Sequence, residues 1–205
     1  MLTSAYPKTV ILKDGRSIVL RPLARDDFDE LQAFFEALSE EDRLFLRHDV
    51  RDPELIHKWT EELDFARIIP LVALDDGEIV ANGSLHLLPH GWMQHVGHVR
   101  LVTARSHRHK GLGGLMTREL VALATERNLE KLQAHVVQDN LGAVRMFETI
   151  GFATVAVLEG MVKDQGGRRR NLAIMINDVA SLGRIIEDWI HDSIQPAYRV
   201  PGGGA

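Results

Sequence analysis

The run from Arg105 to Glu119, Arg-Ser-His-Arg-His-Lys-Gly-Leu-Gly-Gly-Leu-Met-Thr-Arg-Glu, constrains this chain more than any other stretch. An apolar segment from Val99 to Thr103 feeds into a basic turn. The turn delivers Gly111, Gly113 and Gly114, and a segment with helical apolar periodicity begins at once. Such a strand-to-helix junction aims several backbone N–H groups, and the positive end of a helix dipole, at one point. That point suits phosphate. Glycines let ligand oxygens reach a backbone that a Cβ would shield. The expected ligand is a nucleotide or a pyrophosphate-bearing cofactor.

Spacing sorts the phosphate binders. A dinucleotide fingerprint counted from Gly111 needs glycine where Met116 stands. No run of the chain reads as a P-loop. What the chain has is Arg108-x-x-Gly111-x-Gly113 between a strand and a helix. A second pattern lies downstream. Residues 131–138 read as a strand, and Asn140, Ala143, Phe147, Gly151 and Phe152 follow as Asn-x-x-Ala-x-x-x-Phe-x-x-x-Gly-Phe. In this order and at this separation, the two patterns resemble the acyl-coenzyme A loop and the following helix of the GNAT family of N-acetyltransferases. By element order the resemblance covers roughly residues 8–177; the motifs themselves occupy 105–119 and 131–152.

The elements read along the chain support the same organisation. Thr9–Leu12 and Ser17–Pro22 flank a Lys13-Asp14-Gly15 turn. Helices are expected from Phe28 to Leu38, from Ser39 to about Leu46, and from Asp52-Pro53 to about Leu63. Strands are expected at 68–74, 78–88 and 95–104, then a helix at 112–127, a strand at 131–138, a helix at 140–150, and strands at 152–163 and 168–177. The expected fold class is α+β: an α/β/α sandwich on a mixed, mostly antiparallel sheet of about seven strands. The resemblance adds that the central strands splay at a bulge, assigned to Val99–Thr103, where the cofactor's pantetheine pairs like an extra strand. Residues 1–177 are expected to form the catalytic domain and 178–194 a C-terminal helix. Residues 195–205 are expected to be a loose tail. The helix carries an apolar stripe, Val179, Leu182, Ile185, Ile186, Trp189 and Ile190. It is read as packing on its own domain, with a homodimer contact as the alternative.

Composition narrows the function classes. A chain of 205 residues with no cysteine has no disulfide, thiolate metal site or Cys nucleophile. With no membrane-length apolar run and no signal-like N-terminus, the expected location is cytoplasmic, with no membrane partner. A formal net charge of −5 disfavours nucleic acid as a partner and suits an amine.

The resemblance implies an acetyl-CoA-dependent N-acetyltransferase acting on a primary amine of a small molecule or protein. In it Arg108, His109, Lys110, Gly111, Leu112, Gly113 and Gly114 surround the pyrophosphate, with Arg108 anchoring the loop or contacting phosphate. Leu101, Val102 and Thr103 lie along the pantetheine, and Asn140, Ala143 and Phe147 line its other side. Two departures stand out. The family commonly has a Tyr acid where this chain has Phe147, and a Glu where it has His98. His98 is therefore the candidate base, its ordinary pKa of about 6.5 being suited to that work. Glu78 and His86 are weaker candidates. Six histidines fall between residues 86 and 109, but none forms a His-Glu-x-x-His pattern, and no metal is expected. His107 and His109 are expected to add positive character near phosphate, and Arg168–Arg170 to be solvated surface. A coenzyme A sensor without catalysis is the alternative reading.

Overall fold

Leu71, Val72 and Ala73 are consecutive and fully buried, yet they belong to two different cores. Side chains of a strand alternate between faces, so a strand buried on both sides must be covered on both. That is the architecture of the computed structural model, which describes residues 6–43, 46–164 and 166–179. Among these, eight strands form one sheet: β1 (Lys8–Ile11), β2 (Ser17–Pro22), β3 (Ile68–Asp75), β4 (Glu78–His86), β5 (Val96–Thr103), β6 (Lys131–Val137), β7 (Ala153–Lys163) and β8 (Arg169–Asp178). Their order across the sheet is β1-β2-β3-β4-β5-β6-β8-β7. Every neighbour pair is antiparallel except β5 with β6.

Among the described residues, five helices cover the sheet. On one face lie α4 (Leu112–Glu126) and α5 (Leu141–Thr149); Met116, Leu120 and Phe147 pack there with Leu71, Leu85, Val99 and Leu132. On the other lie α1 (Phe28–Glu36), the short α2 (Glu40–Arg43) and α3 (Pro53–Glu61), where Leu31, Phe35 and Ile56 meet Val72 and Ile79. The Asp52 carboxylate accepts the Glu54 N–H at the start of α3, with Pro53 in the first helical position. No helix among the described residues is long and apolar enough to cross a membrane.

The splay lies between β5 and β6, but not for the reason expected. Their parallel pairing runs only from Val96↔Lys131 to Val99↔Ala134. Beyond it Arg100–Thr103 have no partner strand on that side among the described residues. No bulge in β5 causes the parting, because its register with β4 is unbroken from Ala81↔Thr103 to His86↔His98. The register shift of the central strands lies between β3 and β4, at Ala73/Leu74. At the paired end Gly97 admits a close approach: a Cβ there would stand 2.6 Å from Leu129 Cδ1 and 2.9 Å from Leu85 Cδ1. Of the helix expected over 178–194, Asp178 instead closes β8; beyond Val179 that helix and the tail lie outside the described residues.

Candidate active site

The phosphate end is built by the junction of β5 and α4. After Thr103 a single 3-10 turn, Arg105–His107, leads through His109 (φ 61°) to Gly111 (φ 91°), the N-cap of α4. A side chain in that left-handed conformation costs about 1–2 kcal/mol, which is why glycine stands there. The N–H groups of Leu112, Gly113 and Gly114 belong to the first turn and have no intrahelical acceptor. A Cβ on Gly113 would sit 3.7 Å from Leu101 Cδ2 and 3.8 Å from Met146 Cγ. These are ordinary contacts, so packing does not demand glycine at 113. Its bare backbone leaves a cradle that fits a phosphate group.

The cations of this loop are mostly engaged with the protein. Arg108 Nη1 lies 2.8 Å from Asp42 Oδ1, and Nε and Nη2 each donate to the Thr103 carbonyl at 3.2 Å. Burial pushes the Asp42 carboxyl up, but hydrogen bonds from Arg108 and the Ser39 side chain outweigh it and hold the group below the usual carboxylate range. Lys110 Nζ lies 3.2 Å from Asp14 Oδ2. His107, expected near phosphate, instead turns inward: its Nε2 lies 2.8 Å from Asp75 Oδ2 and 3.0 Å from Arg16 Nη1. His109 remains exposed and lines the cleft. Sequence reasoning missed Lys13, whose side chain lies over Gly111 and has no carboxylate partner among the described residues.

Across the gap, Asn140 caps α5, its Oδ1 accepting the Ala143 N–H at 3.1 Å. Such a cap contributes about 1 kcal/mol. Ala143 and Phe147 line the cleft, and Phe147 packs edge-on to Phe152 with centroids 5.0 Å apart. Of the two tyrosines, Tyr6 donates its hydroxyl to Glu119 Oε2 at 3.0 Å, and Tyr198 lies outside the described residues.

The cleft continues, with a volume of about 1290 Å³, from this loop to a polar floor on the central strands. Each of three strands contributes an i, i+2 pair: Ser84 and His86 from β4, His98 and Arg100 from β5, Gln133 and His135 from β6. Register makes these pairs neighbours, since Ser84 opposes Arg100, and His98 lies between His86 and Gln133. The intervening Leu85, Val99 and Ala134 face the opposite core. His48, from the segment between α2 and α3, completes the group: Arg100 Nη1 lies 3.3 Å from its Nε2.

Electrostatics keep this floor's imidazoles neutral. Burial, then the charge of Arg100 and its neighbours, pulls the His86 pKa down to about 4. Burial also lowers His98, followed by the influence of His135, Arg100 and Arg47. His48 and His135 are lowered in the same way, by burial first and then by the two arginines. Burial, then Arg47, lowers the Arg100 guanidinium as well. His98 and His135 pack edge to face, with centroids 5.8 Å apart.

Of the other candidates, Glu78 sits exposed at the β3–β4 turn, away from the cleft. His90 and His95 lie outside the floor; the His95 carbonyl accepts the Glu130 N–H. Arg170 pairs with Asp164 at 3.2 Å and Asp139 at 3.1 Å, so part of the expected solvated surface is an internal brace. Among the described residues, no group of three or more His, Asp or Glu side chains is placed to hold a metal ion. Sequence reasoning also missed Arg47, His48, Arg100 and His135. One signal was available: a polar pair at i, i+2 in each of three interior strands.

Solved structures share this fold. An acetyltransferase of the GNAT family from Streptococcus pneumoniae superposes with a TM-score of 0.70 at 20% identity, covering 78% of this chain and 99% of its own. The GNAT domain of PAT from S. lividans matches with a TM-score of 0.69 at 22% identity, over 83% of this chain and 96% of its own. The yncA structure from Salmonella typhimurium, with its cofactor acetyl-CoA, matches with a TM-score of 0.67 at 17% identity, over 79% and 94%. No curated protein matches the sequence. The acetyltransferase (GNAT) family model matches residues 30–152, more than half of the chain, and this protein therefore belongs to the GNAT family of acetyltransferases.

Proposed function

We propose that this chain is an N-acetyltransferase that uses acetyl-CoA to acetylate a primary amine by direct attack on the thioester. The observation that carries the reading is the open row of N–H groups at Leu112, Gly113 and Gly114, set beside the gap between β5 and β6. The first-turn N–H groups and the α4 dipole receive the pyrophosphate, with Lys13 and His109 as the nearest basic side chains not held by a carboxylate. Val102 and Thr103 offer backbone to the pantetheine, and Ala143 and Phe147 close its other side. Arg108 acts as an anchor, holding the loop to β5 and α2.

Acetyl-CoA supplies an activated thioester, so much of the rate comes from positioning. The amine nitrogen bonds to the acetyl carbon, the C–S bond breaks, and the amine gives up a proton. His98, neutral and with no hydrogen-bond partner among the described residues, takes that proton. Phe147 has none to give the departing thiolate, which is protonated by water. That same phenylalanine, with the missing strand Glu, favours the non-catalytic sensor.

The test is acetyl-CoA turnover, read as free thiol, across polyamines, amino acids, aminoglycosides and lysine peptides, with cofactor binding measured in parallel. Amine-dependent thiol release is the expected result. Binding without release for every amine would favour the sensor, and loss of binding would overturn the phosphate cradle.

A further inference from the structure

The charge of the cleft runs opposite to that of the whole chain. The protein carries a net charge of −5, and the cleft contains several acidic residues. Each is already matched: Glu41 to Arg105 at 3.2 Å, Asp42 to Arg108 at 2.8 Å, Glu62 to Lys58 at 3.8 Å, Asp64 to Arg67 at 4.0 Å, and Asp139 to Arg170 at 3.1 Å. At the far end of the cleft, Arg47 and Arg100 have no carboxylate partner among the described residues. Arg100 is half-buried, and among the described residues its one side-chain hydrogen bond is with the neutral His48 ring at 3.3 Å. A cation taken partly out of water beside a second cation is unfavourable until an anion joins it.

The cofactor's phosphates are badly placed to be that anion. Their cradle follows Thr103, and Arg100 lies three residues earlier, about 10 Å along the strand. The stretch between faces the neutral pantetheine. Arg100 instead shares its face with His98, two residues away on the same strand. An oxyanion held by Arg100 and Arg47 therefore sits one short molecule's length from the candidate base.

We infer that the acceptor is a small zwitterionic amine, carrying a carboxylate or similar oxyanion that Arg100 and Arg47 bind while the amine faces His98. This rests on the acetyltransferase reading above. The two arginines act as specificity determinants, and the planar fork of Arg100 suits a carboxylate.

The experiment uses the full chain loaded with coenzyme A. Calorimetry measures binding of the L-amino acids, of their carboxamides, of spermidine and of a lysine peptide without acidic residues; thiol release is followed for the same panel with acetyl-CoA. The expected result is that at least one amino acid binds about tenfold or more tighter than its carboxamide. Arg100→Gln is expected to remove that preference, Arg100→Lys to restore part of it, and the acetyl-CoA affinity to stay unchanged in both. Carboxamides, spermidine or the peptide binding as well as every amino acid would overturn the inference, as would a preference that survives in Arg100→Gln. The two readings fail separately. Tight amino-acid binding without thiol release sinks the enzyme and leaves the anion site. Thiol release from spermidine or the peptide, with no carboxylate preference, leaves the enzyme and sinks the anion site.

Discussion

The two ends of the cleft are both basic, and they use their cations differently. At the loop end Arg108, Lys110 and His107 are bonded to Asp42, Asp14 and Asp75, so in the proposed function anion binding would fall to bare N–H groups, with Lys13 nearby. At the floor end Arg47 and Arg100 have no such partners among the described residues, and neutral histidines surround them. A basic residue in a motif can thus be scaffold, while one outside any motif is the group left open for a ligand. Counting charges in the sequence does not separate the two roles; counting partners in the fold does.

The sharpest way to break this contrast is Arg108→Ala. If Arg108 is scaffold, removing it strands the buried Asp42 carboxylate and should cost about 3 kcal/mol of stability. Denaturant melts would show this with or without acetyl-CoA. Unchanged stability with weakened cofactor binding would make Arg108 a ligand group instead.

Next in size is His98→Ala, expected to lower kcat about 100-fold while acetyl-CoA still binds. Because the His98 pKa is depressed, the acid limb that disappears should lie below pH 6.5. Kinetics that match the wild type would remove His98 from the mechanism.

The neutral floor also makes a stability prediction. In the folded protein His86 titrates at about 4, against about 6.5 when unfolded. Between those values the unfolded chain binds more protons, so stability is fully present above pH 6.5 and is lost as pH falls toward 4. Allowing for partial exposure, His86 should account for about 2 kcal/mol of that loss. Melts of His86→Asn across this window should be flatter than those of the wild type; parallel curves would place the loss elsewhere.

The smallest effect is the most discriminating. Arg100→Gln should leave stability within about 0.5 kcal/mol of the wild type, because no charged partner is stranded. A loss as large as that of Arg108→Ala would mean that both ends are scaffold.

The strand, helix and loop order was legible in the sequence, because apolar periodicity, the Lys13-Asp14-Gly15 turn and the Asp52-Pro53 cap are local signals. So was the open backbone at Gly111 and Gly113, which follows from residue type and position alone. The partners of Arg108 and His107 were not legible. Asp42 and Asp75 are 66 and 32 residues away in the chain, and only tertiary packing brings them near. Arg47 and His48 lie between two short helices with no motif to mark them. The expected bulge in β5 failed for a related reason: strand register is a relation between neighbours, and no single strand encodes it.

The parting of β5 from β6 has a consequence for the life of the protein. Among the described residues, four residue pairs, Val96↔Lys131 to Val99↔Ala134, and the His95 carbonyl that accepts the Glu130 and Lys131 N–H groups just before them make up the hydrogen-bonded seam between the two halves of the sheet. A cofactor lying in the gap, as proposed, would act as a ninth strand, and its binding would be linked to folding. At a hundred times its dissociation constant it would add about 2.7 kcal/mol to the folded state. Such a protein would melt higher and resist proteases longer when acetyl-CoA is abundant, so its abundance would follow the supply of its own co-substrate.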